Sequence, residues 1–181
     1  MTDPSLRRVL HVGSGALLFA IPLGSWSLLR SALAALVFVA LIIDAARITS
    51  PRFGSRVANL VPVFRAHESS RLSGATWLCM GYFLAAAFPE PAPVPGILVS
   101  ALADPAASLA GGWGRKSAEK TLRGSLAALV VATGILTALQ LPLLAVLGGA
   151  CTGAALERWS GPFDDNLLVA PGVTMIVWLM A

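Results

Sequence analysis

Charge is scarce in this chain of 181 residues: only 12% are Asp, Glu, Lys or Arg, while 56% are hydrophobic. A soluble domain carries about 25% charged residues, so the deficit excludes a surface that is solvated mainly by water. Mean hydropathy is +0.78. A bilayer removes the need for polar covering, because lipid solvates apolar side chains directly. Cysteine is nearly absent, with two residues, Cys79 and Cys151. Each lies in an apolar run, and neither belongs to a C-x-x-C or Cys/His pattern, which excludes a thiolate metal site. Both read as small core residues. No signal peptide is evident, since no small-residue cleavage site follows the first apolar run. Long repeats and low-complexity tracts are also missing.

Seven apolar stretches are present, at about 9–24, 28–46, 73–89, 94–112, 124–140, 141–156 and 166–181. They predict an all-α, polytopic membrane bundle of six to seven transmembrane helices in one domain, 1–181, with some helices short or broken. A span needs about 20 residues, and the sixth and seventh stretches fall below that. Residues 57–67, interrupted by Pro62, are either a short interfacial helix or a plain loop.

The few charges are unevenly placed. If all seven stretches cross, Arg7, Arg8, Arg47, Arg52, Arg56, Arg65, Arg71, Arg115, Lys116, Lys120, Arg123 and Arg158 share one side. Only Arg30 falls opposite. Positive loops stay in the cytoplasm, so the N-terminus and the charged loops are expected on the cytoplasmic face of the cell membrane. The net charge of +4 is then topogenic and complements anionic headgroups; it does not call for nucleic acid.

Asp104 is the sharpest chemical signal. An ionisable residue at membrane depth costs at least ~2.5 kcal/mol and normally faces a polar cavity. Pro105 follows it and removes a backbone donor, so the helix is expected to break there. Asp104 then either faces a cation or caps a half-helix with Pro at its first position. Next comes Gly111-Gly112-Trp113-Gly114-Arg115-Lys116, continuing to Lys120-Thr121-Leu122-Arg123-Gly124. Glycines permit close backbone approach, the cations suit phosphate, and Thr121 adds a hydroxyl. The alternative is a turn carrying topogenic charge. The segment is not a P-loop, because Arg115 stands where glycine must precede Lys116-Ser117 and no strand comes before it.

Three further groups lie at stretch ends. Arg7 and His11, and likewise Arg8 and His11, would be neighbours on a helix. They suit phosphate, with His11 as base or donor; taken alone, snorkelling arginines with a headgroup-level histidine are the plainer reading. Glu68 pairs with Arg71 or meets a metal, and Ser73-Gly74-Ala75 suits close helix packing. Asp164-Asp165-Asn166 offers either hard-cation ligands or a helix N-cap.

In order, these pieces resemble the CTP-dependent lipid-alcohol kinases, the group of dolichol kinase, phytol kinase and yeast-type diacylglycerol kinase, which are distant relatives of phosphatidate cytidylyltransferases. The resemblance rests on Arg7-Arg8-x-x-His11, on Glu68 before Gly74-Ala75-Thr76, and on Asp104-Pro-Ala-Ala107-Ser-Leu-Ala-Gly111. It continues through Gly114 and Lys120-Thr121-Leu122-Arg123-Gly124 to Glu157 and Asp164-Asp165-Asn166. Arg123 departs from the family's usual Glu, Arg8 from its Lys, and the loop from Gly114 to Lys120 is short. The resemblance implies phosphoryl transfer from CTP to the hydroxyl of a lipid alcohol: a polyprenol, phytol, farnesol or diacylglycerol. It implies Mg²⁺ held by Asp104 with Asp164 or Asp165, and phosphate held by Lys120, Arg8 and Arg115. Thr121, Gly111, Gly114 and Gly124 would line the nucleotide, and His11 or Glu68 would position or deprotonate the alcohol. The competing expectations are a cytidylyltransferase making a CDP-lipid, a small-solute transporter, or a non-catalytic homologue suggested by Arg123.

Overall fold

Local start signals fix the helices. Ser25, Ser50, Ser73, Thr121 and Asp164 each precede an apolar or amphipathic run, and each side-chain oxygen accepts a hydrogen bond from a backbone N–H of the first turn, the standard N-cap. The computed structural model describes residues 4–112, 120–158 and 163–181. Its helices are α1 (Pro4–Leu23), α2 (Trp26–Thr49), α3 (Pro51–Leu60), α4 (Gly74–Ala86), α5 (Pro93–Gly112), α6 (Leu122–Ala138), α7 (Leu143–Arg158) and α8 (Asp165–Met180). Within α1 the turn Gly15–Phe19 tightens to 3-10 geometry, and a separate 3-10 turn covers Ala66–Ser70. No strand occurs among the described residues.

Seven of these helices correspond to the seven apolar stretches. Three, α1, α2 and α5, are long and apolar enough to cross a membrane. The outer face of α2 supports that role: Phe38, Val39 and Ile42 are exposed, a continuous apolar surface that a water-soluble monomer rarely presents. Helix α3 takes in only the start of the segment 57–67, for which a short interfacial helix and a plain loop were both open. It lies earlier, because Ser50 caps it, Pro51 occupies its first turn, and Pro62 falls beyond its end. Arg52 and Arg56 occupy one side, and Phe53, Val57 and Leu60 recur at the i, i+4, i+7 spacing of the other.

Helix α5 is the axis of the bundle. One side packs on α6, α7 and α8 through Val99, Ala103, Ala128, Ala132, Ala150 and Val173. The other meets α2, α4 and α8 through Ile97, Leu29, Leu33, Tyr82, Ala85 and Ala170. The expected break at Pro105 does not occur; α5 runs unbroken from Pro93 to Gly112. Proline removes one donor, but a helix held by neighbours on both sides tolerates the loss. Likewise α8 continues through Pro171. Cys151 is exposed rather than in the core, because Gly149, Ala150 and Gly153 take the inward positions on α7.

Small residues set the spacing. A methyl group at Gly96 would stand 2.1 Å from Thr174 Oγ1 and 2.4 Å from the Ala170 carbonyl oxygen. At Gly81 it would meet the Asn166 carbonyl oxygen at 2.4 Å. Helix α8 therefore lies against bare backbone of α4 and α5. Alanine at Gly96 gains about 1 kcal/mol of helix propensity, yet overpacking costs typically about 1–3 kcal/mol or more where backbone must move. Gly96→Ala should therefore lower the thermal midpoint of the detergent-purified protein, whereas Gly134→Ala, with open space around its added methyl, should leave it level or raise it.

Candidate active site at one end of the bundle

Helix ends distant in sequence converge on one polar cluster. Asp104 projects from the C-terminal half of α5, Glu157 from the last turn of α7, and Asp165 from the first turn of α8. One carboxylate oxygen from each lies within 4.8 Å of the other two. Glu157 is 7% exposed, and its Oε2 has no hydrogen-bond partner among the described residues. A buried orphan oxygen is costly, and it is the donor a bound cation would satisfy. Three hard oxygen ligands suit Mg²⁺, which takes few protein carboxylates and completes its shell with water and phosphate. The residues present therefore fit the ion that the sequence implies.

Lys120 enters from just before α6. Its ammonium donates to Asp165 Oδ2 and to the Glu157 carbonyl oxygen, and lies 3.8 Å from Glu157 Oε1. Among the described residues three carboxylates thus gather around one ammonium, leaving negative charge that a divalent cation would balance.

His11 closes the cluster from α1. The Ser100 carbonyl, 3.1 Å from Nε2, can only accept, so Nε2 carries a hydrogen. His11 Nδ1 then faces Asp104 Oδ2 at 3.3 Å. A hydrogen bond across that contact needs one more proton, held by the imidazole or by the carboxyl. His11 and Asp104 thus form a unit, spanning α1 and α5, with room for one proton at this contact. Ser14 Oγ, one turn on, donates to the His11 carbonyl and accepts from the Tyr82 hydroxyl, which anchors α1 to α4.

Not every expected residue joins this centre. Asp164 does not: its Oδ1 accepts from the Asn166 backbone N–H at 3.1 Å and the Asn166 side-chain amide at 2.6 Å, which makes it the N-cap of α8. Burial, and then the adjacent Asp165 carboxylate, push the Asp164 carboxyl above its usual range. Glu68 does not face Arg71. Its Oε1 pairs with Arg7 at 3.3 Å and accepts from Gly74 N–H at 3.2 Å, while Oε2 accepts from Arg65 N–H at 2.9 Å. Of the two adjacent arginines, Arg7 turns inward; Arg8 Nε donates back along its own helix to the Pro4 carbonyl at 2.9 Å.

Thr121 spends its hydroxyl oxygen on capping α6, accepting from Gly124 N–H at 3.1 Å. A methyl at Gly111 would stand 2.9 Å from Thr121 Oγ1, and one at Gly124 would stand 2.9 Å from the Ala107 carbonyl oxygen. These glycines let the start of α6 close onto the end of α5, directly beside Lys120. Gly114 and Arg115 lie outside the described residues.

Two participants escaped sequence reasoning as site residues. Glu157 was visible only as one piece of a longer pattern, and its unpaired oxygen is a property of the fold. The second is a buried network around Asp44 and Arg47. Asp44 Oδ1 accepts from Arg47 Nε at 3.0 Å and Nη2 at 2.9 Å; Oδ2 accepts from Ser73 N–H at 2.6 Å and Thr76 Oγ1 at 2.7 Å. Arg47 also donates to the carbonyls of Glu68 at 2.5 Å and Arg71 at 2.6 Å, and stacks over Phe64. The criterion that singled out Asp104, a charge inside an apolar stretch, applied equally to Asp44. The network fixes the 65–73 connection, which carries Glu68 and hence Arg7. No known protein family, no curated protein and no solved structure matches this chain.

Proposed function

We propose that this chain is a multi-pass membrane enzyme that transfers a phosphoryl group from CTP to the hydroxyl of a lipid alcohol, with Mg²⁺ as cofactor. The observation that carries this reading is the meeting of Asp104, Glu157, Asp165 and Lys120 at one end of the bundle, with the His11–Asp104 pair alongside. Phosphoryl transfer is mainly positioning and charge stabilisation, and these are the groups it needs. Bound Mg²⁺ would screen the triphosphate. Lys120 serves the phosphate oxygens, and His11 with Asp104 orients the hydroxyl and takes up its proton.

The proposed topology has seven crossings, with the N-terminus and the site in the cytoplasm, where soluble nucleotide is available. Arg30, the one cation expected opposite, donates to the Ala86 carbonyl at 2.9 Å and pairs with Glu90 at 3.2 Å. It thereby ties α2 to α4 at the far end of the bundle, as alternating helix directions require. The CTP preference rests on the resemblance described above.

The test uses purified protein in lipid vesicles with a panel of lipid alcohols and two labelled forms of CTP. The expected result is label in the lipid from γ-labelled CTP, dependent on Mg²⁺, and none from α-labelled CTP. Lipid labelled only from the α position, with pyrophosphate released, would replace the kinase with a cytidylyltransferase. Absence of both, with no cation-dependent nucleotide binding, would remove the enzyme reading.

A further inference from the structure

Beside the acidic cluster lies a cavity of about 240 Å³, bounded by α1, α2, α4 and the Phe64–Ser73 connection. Its two ends differ chemically. Toward the bundle it is walled by Arg7, His11 and Glu68, all at least half-buried. Toward the outside it is walled by Leu10 on α1 and Leu36 on α2, both exposed large hydrophobic side chains. The opening therefore lies between α1 and α2, at the depth of two membrane-length apolar helices, and faces lipid. His11 belongs to both places: it lines this cavity and contacts Asp104 in the cluster. The gap is thus a path from the hydrocarbon layer to the His11–Asp104 unit.

The charges on the inner wall are already answered. Arg7 faces Glu68 at 3.3 Å, and His11 faces Asp104 at 3.3 Å. Arg47, behind Phe64, is held by Asp44. Among the described lining residues both cationic groups, Arg7 and His11, already face a carboxylate, so the wall suits an uncharged headgroup. The remainder of the lining is largely apolar, with Leu17 and Leu78 next to Leu10 and Leu36. The Ser14 and Ser73 hydroxyls on the lining are already engaged, with the His11 carbonyl and with Thr76, and Arg7 faces Glu68, so ester carbonyls near a headgroup would be poorly compensated there, which is unfavourable. We infer that the gap between α1 and α2 is the acceptor port, and that it admits an uncharged, single-chain primary alcohol whose hydroxyl comes to rest against His11. Lipid phosphates and two-chain glycerides are excluded. The inference rests on the reading of the site as a kinase and adds to it where the acceptor binds and which acceptors fit.

The test is a photolabelling measurement on the full chain in vesicles. The probe is a long-chain primary alcohol with a diazirine in its tail, and labelled peptides are mapped by mass spectrometry. Crosslinks are expected on the segments around Leu10, Leu36 and Leu78. Unlabelled alcohol should displace the probe at least about tenfold better than the alkyl phosphate of equal length or dioleoylglycerol, since each desolvated polar group costs on that scale. Leu36→Trp, which narrows the opening at an exposed position, should cut labelling by about tenfold through steric exclusion while leaving Mg²⁺-dependent CTP binding intact. Crosslinks confined to other helices, or equal displacement by alkyl phosphate or diacylglycerol, would overturn the port. Crosslinks at the three leucines without phosphoryl transfer would overturn the kinase and leave the port standing. Transfer to the alcohol with crosslinks elsewhere would do the reverse.

Discussion

Asp104→Asn should abolish most phosphoryl transfer while leaving the protein as stable as before, or more stable, in ion-free buffer. The substitution removes one of three crowded carboxylates and keeps a side chain able to donate to His11 Nδ1. Losing charge aimed at the reacting phosphates costs about 10²–10³-fold in rate in comparable sites. Removing one member of a like-charged group relieves repulsion in the resting state. Lys120→Ala should pair a similar loss of transfer with the opposite stability change: it strips from the cluster the ammonium that pairs with Asp165 and Glu157, so the ion-free protein should melt earlier and Mg²⁺ should restore it. The measurements are transfer from γ-labelled CTP and thermal unfolding with and without Mg²⁺. Undiminished labelling with Asp104→Asn would remove Asp104 from any metal-binding role.

The second large effect is expected far from the chemistry. Arg47→Ala should destabilise the fold by about 3–5 kcal/mol, the usual cost of leaving a buried charge without its partner. Asp44 is 1% exposed, and without Arg47 it keeps neutral donors from Ser73 and Thr76 but no cation. The Glu68 and Arg71 carbonyls lose a donor as well. The double variant Asp44→Asn/Arg47→Met should recover much of the loss, because neutral groups of similar volume replace the pair. A change below about 1 kcal/mol for Arg47→Ala, measured by denaturation in detergent, would mean that the network is solvated and contributes little. Activity should fall with stability in the single variant, since the connection that Arg47 fixes also holds the Glu68–Arg7 pair.

The apolar helices were legible because each depends on a local run of apolar residues; of the caps, only that at Asp164-Asp165-Asn166 was among the readings of the sequence. The start of α3 was missed because its signal, Ser50-Pro51, was overlooked in favour of the apolar letters around Pro62. The break expected at Pro105 followed a sound local rule, which packing on both sides of α5 overrode. At the sequence level the candidate segments stood out, but not which residue of each the fold turns toward the others. Asp164 and Asp165 are equivalent as letters; only the first turn of α8 decides that one caps the helix and the other faces Asp104. Arg7 and Arg8 differ in the same way, by about 100° of helix rotation. Glu157 stands more than 50 residues from Asp104 in sequence, and its unpaired oxygen exists only once α7 and α5 are assembled.

Lys120 gives the cluster a built-in placeholder. In the resting protein its ammonium occupies the side of Asp165 that a divalent ion would also seek, so the two cations compete for the same oxygens. On the proposed reading, the nucleotide settles that competition, because its phosphates offer the displaced ammonium a new anion at the moment the metal takes the carboxylates. Metal alone should therefore bind weakly and metal with CTP tightly, each raising the affinity of the other by the same factor. On the proposed reading, the site would stay in its resting arrangement until metal and triphosphate arrive together.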